Sequence, residues 1–181
     1  AIVPTATIED HGHHLPIDTD VRLCTEVCER AAARIPDEVV LVPPIIHGYT
    51  PHHMDFPGTI SIEAHTYIEY VKNVCNSLAH AGFTKILLLN GHGSNTSLND
   101  VAARLTIVDN EGKSLCASVN YWATNPVKNI TEEIRESGIG GTAHACEFET
   151  SLYLTLKSEL VQMDKAVNEL EDHSPHFWRG L

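Results

Sequence analysis

The stretch 84-TKILLLNGHGSN-95 sets an unbroken apolar run, ILLL, directly against a turn of small and polar residues. A run without polar alternation fits a strand buried on both faces, as in parallel sheets, rather than a half-exposed strand of an antiparallel one. On either side the period changes to that of a helix, over about 61–81 before it and 95–108 after it, and Gly82 is placed to end the first at a left-handed cap. Helix, strand and helix joined by short turns require right-handed crossovers and a sheet covered on both faces. Working outward, residues 1–7 read as a buried strand, 19–35 as a helix and 38–46, around VVLVPPII, as a strand ended by prolines. A Gly/Pro/His-rich loop occupies 47–59, a turn falls at Asn110-Glu111-Gly112, and a strand follows near 115–121. The part after 123 reads as more helical. The expected class is α/β, a three-layer α/β/α sandwich with a mostly parallel sheet, in one domain over 1–181.

Composition narrows the function. The chain has 181 residues, 43% hydrophobic and 20% charged, as in ordinary globular domains. Its net charge of −12 opposes a phosphate backbone, so no nucleic-acid partner is expected. No apolar run approaches the ~20 residues of a membrane helix, and the opening AIVPTATIED lacks a signal peptide's basic flank. The expectation is a cytoplasmic protein acting on a small molecule. Cys24, Cys28, Cys75, Cys116 and Cys146 are odd in number and lack CxxC spacing, against a zinc ribbon or a disulfide framework. Cys24 and Cys28 share a helical face with Val21, Ala31 and Ile35, and Cys75 shares one with Ala64, Ile68, Val71 and Leu78; both read as core.

In a parallel sheet of this kind ligands bind beyond the carboxyl ends of the strands. The segment 8-IEDHGHHLPIDTD-20 follows the first strand and NGHGSN follows the strand at 84–89, so both open at one edge. Glu9, His11 and Asp20 from the first loop and His92 from the second form a mixed carboxylate and imidazole set, which suits zinc, manganese or iron(II) better than calcium. Glu9 and His11, two apart on extended chain, point the same way, while Asp20 must fold back across Pro16. A carboxylate so placed can bridge two ions about 3.5–4 Å apart. The plainer alternative is a set of solvated loop residues. NGHGSN has neither a phosphate-loop nor a dinucleotide spacing, and its glycines serve close backbone approach. In 144-HACEFETS-151, a helix start would put His144, Glu147 and Phe148 on one face and Glu149 round the side, with the acids favoured at a helix N-terminus. Cys146 adjoins His144, but neighbours on a helix point apart, against a thiol nucleophile.

These motifs resemble a known family. IEDHGHHLPIDTD is similar to the E-x-H-G-x-H-L-P-x-x-T-D signature of creatininases (creatinine amidohydrolases), and HMDFPGTISI, NGHGSN and HACEFETS resemble that family's FPGT, NGHGGN and HAxxxETS motifs in the same order. The resemblance implies a hydrolase with two divalent ions, zinc or manganese with iron(II) as a further option, and a homo-oligomer, commonly a hexamer. By position Glu9, His11, Asp20 and His92 match metal ligands, Asp20 the bridging one, and His144 matches the catalytic histidine. Creatininase proper has a further glutamate ligand after NGH, where this chain has Gly93-Ser94-Asn95. Glu149 or Glu147 is the substitute, and Glu149 is preferred because it falls on the ETS motif. Family members usually carry more chain at both ends, so this one is expected to be shortened, with Trp178 in its last segment at a subunit contact or an ordinary terminus.

The expected reaction is hydrolysis of a C–N bond in an amide or cyclic amide by a metal-activated water. His144 would protonate the leaving nitrogen, and Glu147 would orient His144 or help manage the proton. Phe56, Pro57, Gly58, Thr59 and Ser61 would line the pocket, and His14, His52 and His53 would stand behind the ligands rather than among them. Two rivals remain: ring opening of a cyclic ketone on the same site, and a noncatalytic metal- or ligand-binding assembly subunit.

Overall fold

In the computed structural model, residues 1–138 and 141–168 are described, so Trp178 lies outside the described residues. Strands β1 (Ile2–Thr5), β2 (Lys85–Asn90) and β3 (Leu115–Asn120) form a parallel sheet in that order. The register pairs Thr5 with Asn90 and Asn90 with Asn120, so the three carboxyl ends finish level. Helices α1 (Thr19–Ala33) and α5 (Glu147–Lys157) lie on one side and α2 (Ala64–His80) and α3 (Thr96–Asp109) on the other, with α4 (Asn125–Ile134) after β3.

The alternation of the strands explains the layers. Ile86 and Leu88 turn to a core with Tyr67, Val71, Cys75, Ala102, Ala103 and Cys116, while Leu87 and Leu89 turn to Ile2, Ala6, Cys24 and Cys28. All five cysteines are free and buried, those of α1 and α2 on the core faces their spacing indicates. Gly82 takes φ +97 after α2, where a side chain would be strained. The ends of α1, α2, α3 and β3 fall within a few residues of the expected positions.

The segment 38–46 departs from expectation. It runs beside β1 but makes only isolated bridges, Ile2 with Leu41 and Thr5 with Ile45. Backbone bonds Ile2 N to Val40 O, Val42 N to Ile2 O and Ile45 N to Pro4 O flank Pro43 and Pro44, which have no N–H to continue the ladder. No described helix is long and apolar enough to cross a membrane.

Candidate metal centre

The level strand ends carry a polar ladder that shapes the loops above them. Thr5 Oγ1 donates to Asn90 Oδ1 at 3.3 Å, and Asn90 Nδ2 donates to Asn120 Oδ1 at 2.8 Å and to the His92 carbonyl at 2.6 Å. Behind it, Tyr67 donates to Asn99 and Asn99 donates to Thr5 Oγ1, so the ladder's buried groups are paired through the sheet to α2 and α3.

After β1 the chain turns at Gly12, φ +68, whose N–H bonds Asp10 Oδ2 at 3.1 Å, and returns so that Glu9 N–H meets the Ile17 carbonyl. Asp20 then sits in the first turn of α1, where the helix dipole favours a carboxylate. After β2, Gly91 lies so close to α1 that a Cβ there would stand 3.0 Å from the Asp20 carbonyl, which brings His92 against Asp20. From the far end, Ala145, φ +49, and Cys146 lead into α5, and Glu149 closes a capping box by accepting the Cys146 N–H at 3.2 Å.

These three segments bring Glu9, His11, Asp20, His92 and Glu149 together. His11 Nε2 lies 3.1 Å from Asp20 Oδ1 and 3.7 Å from Glu149 Oε1; His92 Nδ1 lies 3.0 Å from Asp20 Oδ2 and 3.1 Å from Glu9 Oε1. Asp20 therefore faces one imidazole with each oxygen. The plainer reading of solvated loop residues fails, since Glu9, His11, Asp20 and His92 are all at most 4% exposed. Each ring is also locked. His11 Nδ1 faces the Glu9 carbonyl at 3.2 Å and His92 Nε2 faces the Tyr49 carbonyl at 3.1 Å, so both rings donate backward and turn the other nitrogen to the cluster. Ligand atoms of Glu9, Asp20 and His92, and of His11, His144 and Glu149, converge within 4.8 Å of one another. Donors around a tetrahedral ion with ligands at about 2.0–2.1 Å stand roughly 3.3 Å apart, which these spacings match.

The cluster's electrostatics follow from burial and mutual contact. Burial alone would raise the Glu9 carboxyl, but contact with His53 and His92 and the charges of His92 and His11 hold it well below the usual carboxylate range. Glu149 is likewise lowered against its burial, by His11 and His144. Burial would lower His92, yet Asp20 and Glu9 raise it to about 10; Asp20 and Glu149 raise His11 in the same way. His144 differs: burial and the neighbouring His11 lower it. Its ring stands 4.4 Å from His11 and 4.3 Å from His53, with Nδ1 3.6 Å from Glu9 Oε1.

Two expectations are displaced. Glu147 does not reach the cluster or orient His144 directly: α5 begins at Glu147, and its half-buried carboxylate accepts the backbone N–H groups of Glu136 at 2.9 Å and Ser137 at 2.8 Å. His144 precedes the helix rather than sharing a face with Glu147. His53, set behind the ligands in the sequence reading, puts Nδ1 3.0 Å from Glu9 Oε2. Thr50, which sequence reasoning missed, is fully buried and donates to the same oxygen. The only signal for either was the density of His and turn residues in 47–59. Thr59 and Ser61 hold backbone, accepting from Asp10 N and Thr50 N, and Phe56 stands edge-on to His53 at 6.1 Å. His14 bonds Thr150 at 2.9 Å, away from the cluster. Cys146 is capped and buried, and burial pushes its thiol up, so it is no nucleophile.

A family model described as creatinine amidohydrolase matches residues 1–179. A creatinine amidohydrolase of Pseudomonas putida is 30% identical over 185 residues, covering 96% of this chain and 69% of that protein. A 3-dehydro-scyllo-inosose hydrolase of Thermotoga maritima is 31% identical over 170 residues, covering 92% of this chain and 53% of that one. The chain thus spans between about half and two thirds of these relatives' lengths. Solved creatininases described as a manganese form and as a zinc–zinc variant superpose with TM-scores of 0.83 and 0.81, each at 29% identity over 93% of this chain and 69% of theirs.

Proposed function

Because the chain belongs to the creatininase family of hydrolases, we propose that it hydrolyses a C–N bond of an amide or cyclic amide on two divalent ions, zinc or manganese. Glu9, Asp20 and His92 would hold one ion and His11, Asp20 and Glu149 the other, Asp20 lending an oxygen to each. The observation that carries the reading is that split of the Asp20 carboxylate between two backward-donating imidazoles. Bound there, the ions supply Lewis acidity, polarising a carbonyl and bringing the deprotonation of water near neutral pH.

The chain's own groups manage the proton. His144 is held neutral beside the ligands, with a ring nitrogen free to take the proton of the attacking water and pass it to the departing nitrogen. The products are a carboxylic acid and an amine. Glu147 acts at one remove, tying the backbone of residues 136 and 137 to the start of α5, three residues after His144. The substrate would be a small molecule, and His52 and Phe56 beside the cluster are exposed.

Metal content and turnover of a panel of lactams, formamides and cyclic ketones test this together. Asp20→Ala should lose both ions and all turnover, whereas His144→Ala should keep the ions and lose roughly 100-fold or more in rate. Two ions retained in Asp20→Ala, or unchanged turnover in His144→Ala, refutes the assignment. The Thermotoga maritima relative favours a second reading, hydrolytic opening of a cyclic ketone, and product identification separates the two.

A further inference from the structure

We infer that Glu9, His53 and His144 form a third cation position, beside the proposed pair, which captures zinc at higher concentration and takes His144 out of service. The inference rests on the role given to His144 above.

Three observations converge on it. The ligand atoms of Glu9, His53 and His144 lie within 4.8 Å of one another, as close as those of the other two groups. His53 Nδ1 is buried 3.0 Å from Glu9 Oε2 without hydrogen-bond geometry to it, so the nitrogen faces the carboxylate that would share the ion. Of the three donors His53 stands outside the other two groups, and Glu9 has an oxygen for each side, turning Oε1 to His92 and Oε2 to His53. Two imidazoles and one carboxylate make the set that holds single zinc ions in metallopeptidases, with an open fourth position for water. His53 Nδ1 stands 3.0 Å from Glu9 Oε2 and His144 Nδ1 3.6 Å from Glu9 Oε1, each near the roughly 3.3 Å edge of a tetrahedral zinc site.

The consequence for the site is direct. A zinc ion here occupies the lone pair of the His144 nitrogen facing Glu9, the nitrogen that would otherwise exchange the proton. It also adds positive charge beside an ion already on Glu9, so it binds more weakly than the first two. Filling the pair would switch the site on, and a further ion would switch it off.

Equilibrium dialysis of the full chain against rising Zn2+, with zinc per chain measured by elemental analysis, tests this apart from activity. The wild type should saturate at three ions, the last binding weakest, and His53→Ala and His53→Gln should stop at two. The glutamine variant keeps a polar group against Glu9 should alanine impair folding. A wild type that stops at two overturns the third position and leaves the pair intact; one that stops below two overturns the pair itself. A third ion retained in both His53 variants also overturns it. With a hydrolysable amide, turnover compared within each variant at low and high zinc should fall roughly 100-fold in the wild type and stay level in the variants. Three bound ions with undiminished wild-type turnover would overturn the inhibitory role.

Discussion

A Cβ on Gly91 would stand 2.5 Å from the Cβ of Cys24. The end of β2 and the second turn of α1 therefore touch through backbone on one side, and this close approach carries His92 toward Asp20. Gly91→Ala must push strand and helix apart, since both neighbours are main chain or the base of a buried side chain. Overpacking of that sort costs about 1–3 kcal/mol. We expect a lower denaturation midpoint and weaker binding of the ion assigned to Glu9, Asp20 and His92, read by metal competition. Wild-type affinity in a folded Gly91→Ala variant would show that the approach does not set the site.

Glu149 has two tasks that substitutions separate. Its Oε2 accepts the Cys146 N–H and caps α5, while Oε1 faces His11. Glu149→Gln keeps an acceptor for the cap but is a poor ligand, so it should retain one ion per chain and stay within about 1 kcal/mol of wild-type stability. Glu149→Ala should lose the same ion and a further ~0.5–2 kcal/mol with the cap. Two ions bound to Glu149→Gln would return the missing ligand to another residue.

The pKa shifts fix the sign of two pH effects in the metal-free chain. His11 and His92 are raised, so their contribution to stability is complete below about pH 6.5, the ordinary imidazole value, and fades as pH climbs through their folded values, about 10 for His92. Glu9 and Glu149 are lowered, so theirs is complete above about pH 4.3 and fades as pH falls through their folded values. The chelated protein should thus melt highest between those limits. A metal ion must displace the protons on His11 and His92, so binding at pH 7 should release about two protons per chain. Calorimetry in buffers of different ionisation enthalpy counts them, and none released would mean that neither ring is charged without metal.

The sheet and its edge were legible because buried parallel strands and helical faces leave periods that few other structures produce; ILLL before NGHGSN placed β2 and its loop together. The convergence of Glu9, His11, Asp20 and His92 was legible for a related reason, since consecutive loops at one sheet edge need no long-range knowledge to meet. What escaped was set by contacts between distant segments. His53 is drawn to Glu9 by the course of a loop whose turns at Pro51 and Gly58 have no period to read. Glu147 looked like a partner of His144 because a helix was assumed through both, but the left-handed Ala145 starts α5 later and swings Glu147 to the backbone of 136 and 137. The strand expected at 38–46, already read as ended by its prolines, keeps only the bridges at Leu41 and Ile45 on either side of the proline pair.

Tyr153 ties the two helices that carry Asp20 and Glu149. Its hydroxyl donates to Asp18 Oδ1 at 3.0 Å and accepts from Arg22 Nε at 2.9 Å, while Arg22 Nη2 bonds Asp18 Oδ2 at 2.8 Å, so the start of α1 is fastened to the face of α5. The ring itself is fully buried among Leu15, Leu23 and Tyr121. Tyr153→Phe keeps that packing and removes both bonds of the hydroxyl, leaving Asp18 and Arg22 to each other. The loss should be about 1–2 kcal/mol in stability, near that of one or two partly buried hydrogen bonds. Because α5 brings Glu149 alone to the cluster, the ion on His11, Asp20 and Glu149 should loosen while the one on Glu9, Asp20 and His92 holds. Two separable affinities in a metal titration, only one of them changed in Tyr153→Phe, is the expected pattern. An equal change in both would mean that α5 supports the whole centre and not one half of it.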